Sequence, residues 1–196
     1  MSQSLDLKEI ERKAWKSYYE DGMWDTFMGL LMIAMGVDLL TQEGPAFYAL
    51  IGVAALSPAL IKWFITMPRL GWVKFGPMRR TRDKLMKAVL AFSILIGIGG
   101  FVAYTVGAEP PSGVFPAIAA VVIFAVFASM AYLKEFPRLY GYAVAYSLSI
   151  GLALTMEDFV PMVLFFVFGG TGLVIGLALI ARFVRRYPVI RTEGAG

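Results

Sequence analysis

Six long apolar stretches, at 23–40, 46–65, 85–106, 115–133, 140–156 and 160–183, constrain this chain more than anything else in it. A helix needs about 20 apolar residues to cross the hydrocarbon of a bilayer. Inside that hydrocarbon every backbone N–H and C=O must be satisfied by the protein itself. The stretches are continuous rather than alternating, so they read as helices and not as strands of a β-barrel. Composition agrees: 59% of the 196 residues are hydrophobic and 16% are charged, against roughly 45–50% and 25% in soluble domains. Mean hydropathy is +0.70. The expected fold is an all-α integral membrane protein with six transmembrane helices.

Charge then sets the expected orientation. All eighteen Lys and Arg fall in the N-terminal segment, between Lys62 and Lys87, at Lys134 and Arg138, and from Arg182 to Arg191. The three alternate loops, "TQEGP", "GAEPPSG" and "MEDFVP", contain none. Cations are retained on the cytoplasmic side during insertion, so both termini are expected in the cytoplasm. Lys62 and Lys87 lie near helix ends, where their stems can snorkel to the interface. The first 22 residues are polar and charged, unlike a cleavable signal sequence. The first span is therefore expected to act as an uncleaved anchor, a topology that suits a prokaryotic plasma membrane.

The ends of the even-numbered spans read "IKWFITMPRL", "AYLKEFPRL" and "ARFVRRYPVI". Each has a cation several residues before a proline and an aliphatic residue two after it. Pro68, Pro137 and Pro188 are expected to stop helices there, whereas Pro45, Pro116 and Pro161 suit first turns. Pro58 is expected to kink the second span. The rhyme predicts three tandem helix hairpins, at 23–70, 85–139 and 140–191, although convergent helix punctuation would leave the same marks. A cytoplasmic amphipathic helix over 1–22 precedes them, a basic loop covers 71–84 and a short tail covers 192–196. Gly29 with Gly36, and Gly172 with Gly176, are expected to form helix contacts, because small residues let backbones approach in lipid. Ser147 and Gly151 repeat the four-residue spacing. The segment "GLLMIAMG" resembles the small six-span HdeD-like membrane proteins, which also look like repeated hairpins. That resemblance implies no functional residue.

Neither cysteine nor histidine is present. Disulfides, Cys/His zinc sites, catalytic thiols, Ser-His-Asp triads and histidine-ligated haem are thereby excluded. No cofactor and no metal is expected. Asp21 and Asp25 differ by about 40° around a helix and share a face, while Asp38 is turned about 220° from Asp25. Asp25 suits a first-turn position, where the helix dipole favours an anion, or an ion pair with the basic face. Asp38 lies near the outer end of the first span, with no cation at its depth. There it either reaches headgroup water or serves a solute pathway. The Asp21–Gly22 step shares two residues with the metal-binding signature of membrane CDP-alcohol phosphotransferases, and the likeness stops there. The Ala-Arg and paired aspartates that signature needs are missing, and Tyr18 stands where an aspartate is required.

The leading expectation is a non-enzymatic, passive conduit for a small solute or cation. Asp38, Glu43, Glu109, Glu157 and Asp158 would form its acidic outer vestibule. A structural or accessory protein that organises anionic lipids or partner subunits is the alternative, and a lipid-modifying enzyme a third. Arg69, Lys74, Arg79, Arg80, Arg82 and Lys84, with Trp63 and Trp72, are the expected lipid contacts on the cytoplasmic face. The expected partners are the bilayer, its anionic lipids, and a second copy or another membrane protein. Nucleic acid is not expected, since no binding fold accompanies the short basic loop.

Overall fold

The computed structural model describes residues 20–42, 44–71, 77–105, 114–156 and 159–188. Every regular element among them is helical: α1 (Met23–Thr41), α2 (Pro45–Leu70), α3 (Pro77–Thr105), α4 (Val114–Lys134), α5 (Arg138–Ala153) and α6 (Phe159–Arg186). Four of these, α1, α2, α4 and α6, are long and apolar enough to cross a membrane. Helix α5 has 16 residues, about 24 Å of rise against a hydrocarbon core of about 30 Å. Large apolar side chains point outward along the helices, among them Phe64 at 70% and Val174 at 68% exposure. Water would penalise such surfaces and lipid would not. The segment 1–19, expected as an amphipathic helix, lies outside the described residues.

The helices group into two compact units, one comprising 1–75 with 166–196 and the other 76–165. The division at 165/166 falls within α6. In the second unit α4 lies chiefly against α5, and more lightly against α3. Phe127 stacks on Tyr146 with ring centroids 5.0 Å apart, and Ser147 Oγ donates to the Ala120 carbonyl at 2.8 Å. A methyl group on Gly151 would lie 3.2 Å from Ala120 Cβ, so the Ser147–Gly151 spacing seats α5 on α4. Arg82 of α3 forms an ion pair with Glu135, just beyond α4.

In the first unit α1 packs along α2 and also meets α6 through glycines. A Cβ on Gly29 would sit 2.5 Å from Leu173 N and 2.8 Å from Gly169 O. One on Gly169 would sit 2.9 Å from Ile33 N, and one on Gly176 would sit 2.5 Å from Thr26 N. Gly36 is buried on α1, and Gly172 borders the Gly29 contact. These neighbours are backbone atoms, so they cannot swing aside as a side-chain tip would.

The prolines behave in two ways. Pro45 is the first residue of α2, and Pro116 and Pro161 are the third residues of α4 and α6. Pro137 caps the start of α5, and Pro188 follows the end of α6. Pro68 departs from expectation: α2 continues through it to Leu70 and stops at Gly71, whose φ is +71°. Directly before Pro68 the helix widens into a π-helical turn over Lys62–Thr66, with Met67 N donating to Lys62 O. That widening relieves the clash between the proline ring and the carbonyl four residues back. Pro58 is likewise retained within α2. It cannot donate to the Ala54 carbonyl, which accepts the Ser57 hydroxyl at 2.8 Å instead.

Gly29→Leu and Gly176→Val are expected to destabilise the folded protein at or beyond the ~1–3 kcal/mol typical of overpacking, read from denaturant unfolding in micelles. Gly52→Ala and Gly170→Ala, where an added Cβ meets nothing within 4 Å, are expected to be neutral or stabilising in the same assay.

Candidate functional site

Before α1, the chain turns at Gly22, which has φ +77° and lies against α6; a Cβ there would fall 2.4 Å from Gly176 O. Only glycine adopts that backbone conformation at little cost. The turn directs Asp21 inward, where it is fully buried at 0% exposure. Its Oδ1 accepts the Met23 N–H at 3.1 Å and so caps the first turn of α1. Its Oδ2 accepts both Lys62 Nζ and Thr66 Oγ1, each at 2.6 Å. Lys62 and Thr66 are the first and last residues of the π-helical turn. The widened turn therefore delivers an ammonium and a hydroxyl to the same carboxylate oxygen.

This is a buried ion pair with a satisfied anion. Removing two charges from water costs several kcal/mol each, and attraction offsets that only when the remaining lone pairs are also used. Three donors to Asp21 meet that condition. Asp25, one turn further along α1, is 1% exposed. It lies in the first turn, where the helix dipole favours an anion. Thr26 is buried beneath Gly176.

The sequence reading placed Lys62 at the interface with a snorkelling stem, and considered Asp21 only with Glu20 and Asp25 as the polar cluster of a lipid-modifying enzyme. The structure joins Asp21 to Lys62 instead. A signal for the pair was present. Asp21 and Lys62 lie about twenty residues on either side of the turn at 42–44, so antiparallel helices of equal rise set them at one height. Both oxygens of Asp21 are engaged by protein donors. Among the described residues no three acidic side chains gather as a metal site.

At the other end of α1, Asp38 is half-buried. Its backbone carbonyl accepts the Gln42 N–H at 2.8 Å as the helix closes in a left-handed turn. Its Oδ1 is buried and has no hydrogen-bond partner among the described residues. Glu43, Glu109, Glu157 and Asp158, the other expected vestibule acids, lie outside the described residues.

Of the expected lipid contacts, Trp63 is 69% exposed, and Lys84 is exposed on α3. Arg69 is half-buried and turns back to donate from Nη1 to Ile65 O at 2.9 Å. Arg82 is engaged by Glu135. Arg79 and Arg80 belong to the first turn of α3, while Lys74 and Trp72 lie outside the described residues.

Comparison with known proteins finds no matching family model, no similar curated protein and no similar solved structure. The glycine-based likeness to HdeD-like proteins therefore assigns this chain neither a family nor a function.

Breaking the pair by Lys62→Met or Asp21→Asn alone is expected to cost about 3–5 kcal/mol, because a buried charge or donor is stranded. The double variant is expected to cost clearly less than the two singles added. A double-mutant cycle on unfolding free energies checks this, and additive losses would sink the assignment of a direct buried pair.

Proposed function

We propose that the chain is a six-span, non-enzymatic membrane protein that passes a small cation or solute passively, with Asp38 lining the outer end of the path. The observation that carries this reading is the buried Asp38 oxygen without a partner, on a helix long and apolar enough to cross a bilayer. An acid held at membrane depth is costly and is a functional candidate by default. Helices α3 and α5 complete the six spans, and the charge partition supports cytoplasmic termini in a prokaryotic plasma membrane. Glu43, Glu109, Glu157 and Asp158 would gather cations at the outer mouth. The same reading takes the spans as three tandem hairpins, at 23–70, 85–139 and 140–191.

The second reading, a structural or accessory membrane protein, is favoured by the Asp21–Lys62–Thr66 cluster and the glycine contacts of α1 with α6. These features use polar and small residues to hold helices together. Such a protein would organise anionic lipids, a second copy or a partner subunit, and would need no path through its centre.

Cation and proton flux into liposomes containing the purified protein separates the two. The conduit predicts measurable flux that is largely lost in Asp38→Asn while folding is retained. Absence of flux from folded wild-type protein would decide for the accessory role.

A further inference from the structure

The last turns of α6 carry a feature that neither functional reading uses. Ala178, Ala181, Arg182, Arg185 and Arg186 line an open hollow of about 540 Å³. Their spacing of three, four, seven and eight residues puts them on one face of the helix. The two alanines are short beside the three long arginines on this face. All three arginines are exposed, and none takes part in an ion pair or side-chain hydrogen bond among the described residues. The Arg186 guanidinium lies over the Tyr187 ring, 5.7 Å from its centroid. Tyr187 in turn rests 4.9 Å from Phe183. One guanidinium is thus steadied by an aromatic pair of the kind found at membrane interfaces.

One and two turns nearer the N-terminus, the same helix presents Val174, Ile175 and Leu177, all exposed. Apolar surface therefore runs directly into three guanidiniums that form no ion pair among the described residues. This combination matches an amphiphile with an anionic head. Guanidinium offers paired N–H donors to phosphate oxygens, and the apolar stripe offers a wall for an acyl chain. A zwitterionic head would bring its own cation against three others.

We propose that this hollow binds the phosphodiester headgroup of an anionic phospholipid, with its acyl chain lying along Val174 and Ala178. The site is distinct from the loop cations at 69–84, and it rests on the reading of α6 as a span. Arg182, Arg185 and Arg186 hold the phosphate, and Ala178 and Ala181 supply the room. A bulky residue at Ala181 fills the hollow without altering charge.

The test uses the full chain reconstituted in nanodiscs of phosphatidylcholine containing a minor share of phosphatidylglycerol, then extracted gently for native mass spectrometry of retained lipid. Wild type is expected to retain phosphatidylglycerol in preference to phosphatidylcholine. Each single Arg→Gln change at 182, 185 or 186 is expected to lower retention about fivefold, and all three together about a hundredfold, at roughly 1 kcal/mol per cation. Ala181→Leu is expected to lower retention with every charge in place, and Lys84→Gln to leave it unchanged. Equal retention of the two lipids by wild type, or unaltered retention in the triple variant, would overturn the proposal. Displacement of the lipid by millimolar inorganic phosphate would reassign the hollow to a soluble anion. Loss of the lipid preference on adding a peptide of residues 1–19 would reassign it to this chain's own N-terminal segment. Phe159→Cys and Pro188→Cys, labelled with an impermeant maleimide in vesicles, test the span separately. Reaction from opposite faces keeps α6 spanning whatever the lipid result, and reaction from one face removes the premise.

Discussion

Gly29 and Gly169 let α1 and α6 approach until backbone lies against backbone, and the first unit is built on that approach. Lipid tails are as apolar as leucine, so helices in a membrane gain little from simply hiding apolar side chains from their surroundings. Close packing and polar contacts must hold them instead. With no Cβ at Gly29, Gly169 and Gly176, α6 lies close enough for Leu173 and Thr26 to face the opposite helix at contact distance. The same approach receives Gly22 against Gly176 O, and that fixes how the chain turns into α1.

The buried ion pair depends on this arrangement. Once Gly22 has turned the chain, Asp21 can only point into the unit, and a bare carboxylate there would be strongly unfavourable. Lys62 and Thr66 meet it because α2 widens ahead of Pro68. A proline that looks like a stop signal in the sequence is thereby tied to the geometry of the cluster. Such clusters are poor sources of net stability but severe when broken. The contacts of Asp21 with Lys62 and Thr66 belong to this one register of α1 on α2.

Legibility from sequence was uneven, and the reasons are physical. Helices α1, α2, α4 and α6 are visible as apolar runs, because the length needed to cross hydrocarbon leaves few other readings. First-turn prolines at 45, 116 and 161 follow from a local rule, the absent N–H that a helix start does not need. Pro68 did not follow its local rule, because a π-helical turn accommodates it, and that turn is a property of the whole of α2. Asp21 was not matched to Lys62, because the acid that draws attention in the sequence is the one inside the apolar run. The acid just before the run is the one that found a cation. The arginines of α6 read as topology signals alone until Ala178 and Ala181 were seen to open a hollow between them.

By itself the sequence determined that this chain is helical, apolar enough for a membrane, and without cysteine or histidine chemistry. Those properties depend on composition and on runs of neighbouring residues, which need no knowledge of what packs where. It also marked small residues at helical spacing. Only the tertiary structure decided which glycine meets which backbone, that the helices group as 1–75 with 166–196 and as 76–165, and that Asp21 holds Lys62. Those outcomes depend on contacts between residues far apart in the chain. In a bilayer such contacts are chosen by packing and hydrogen bonding, which a one-dimensional hydrophobic pattern does not encode.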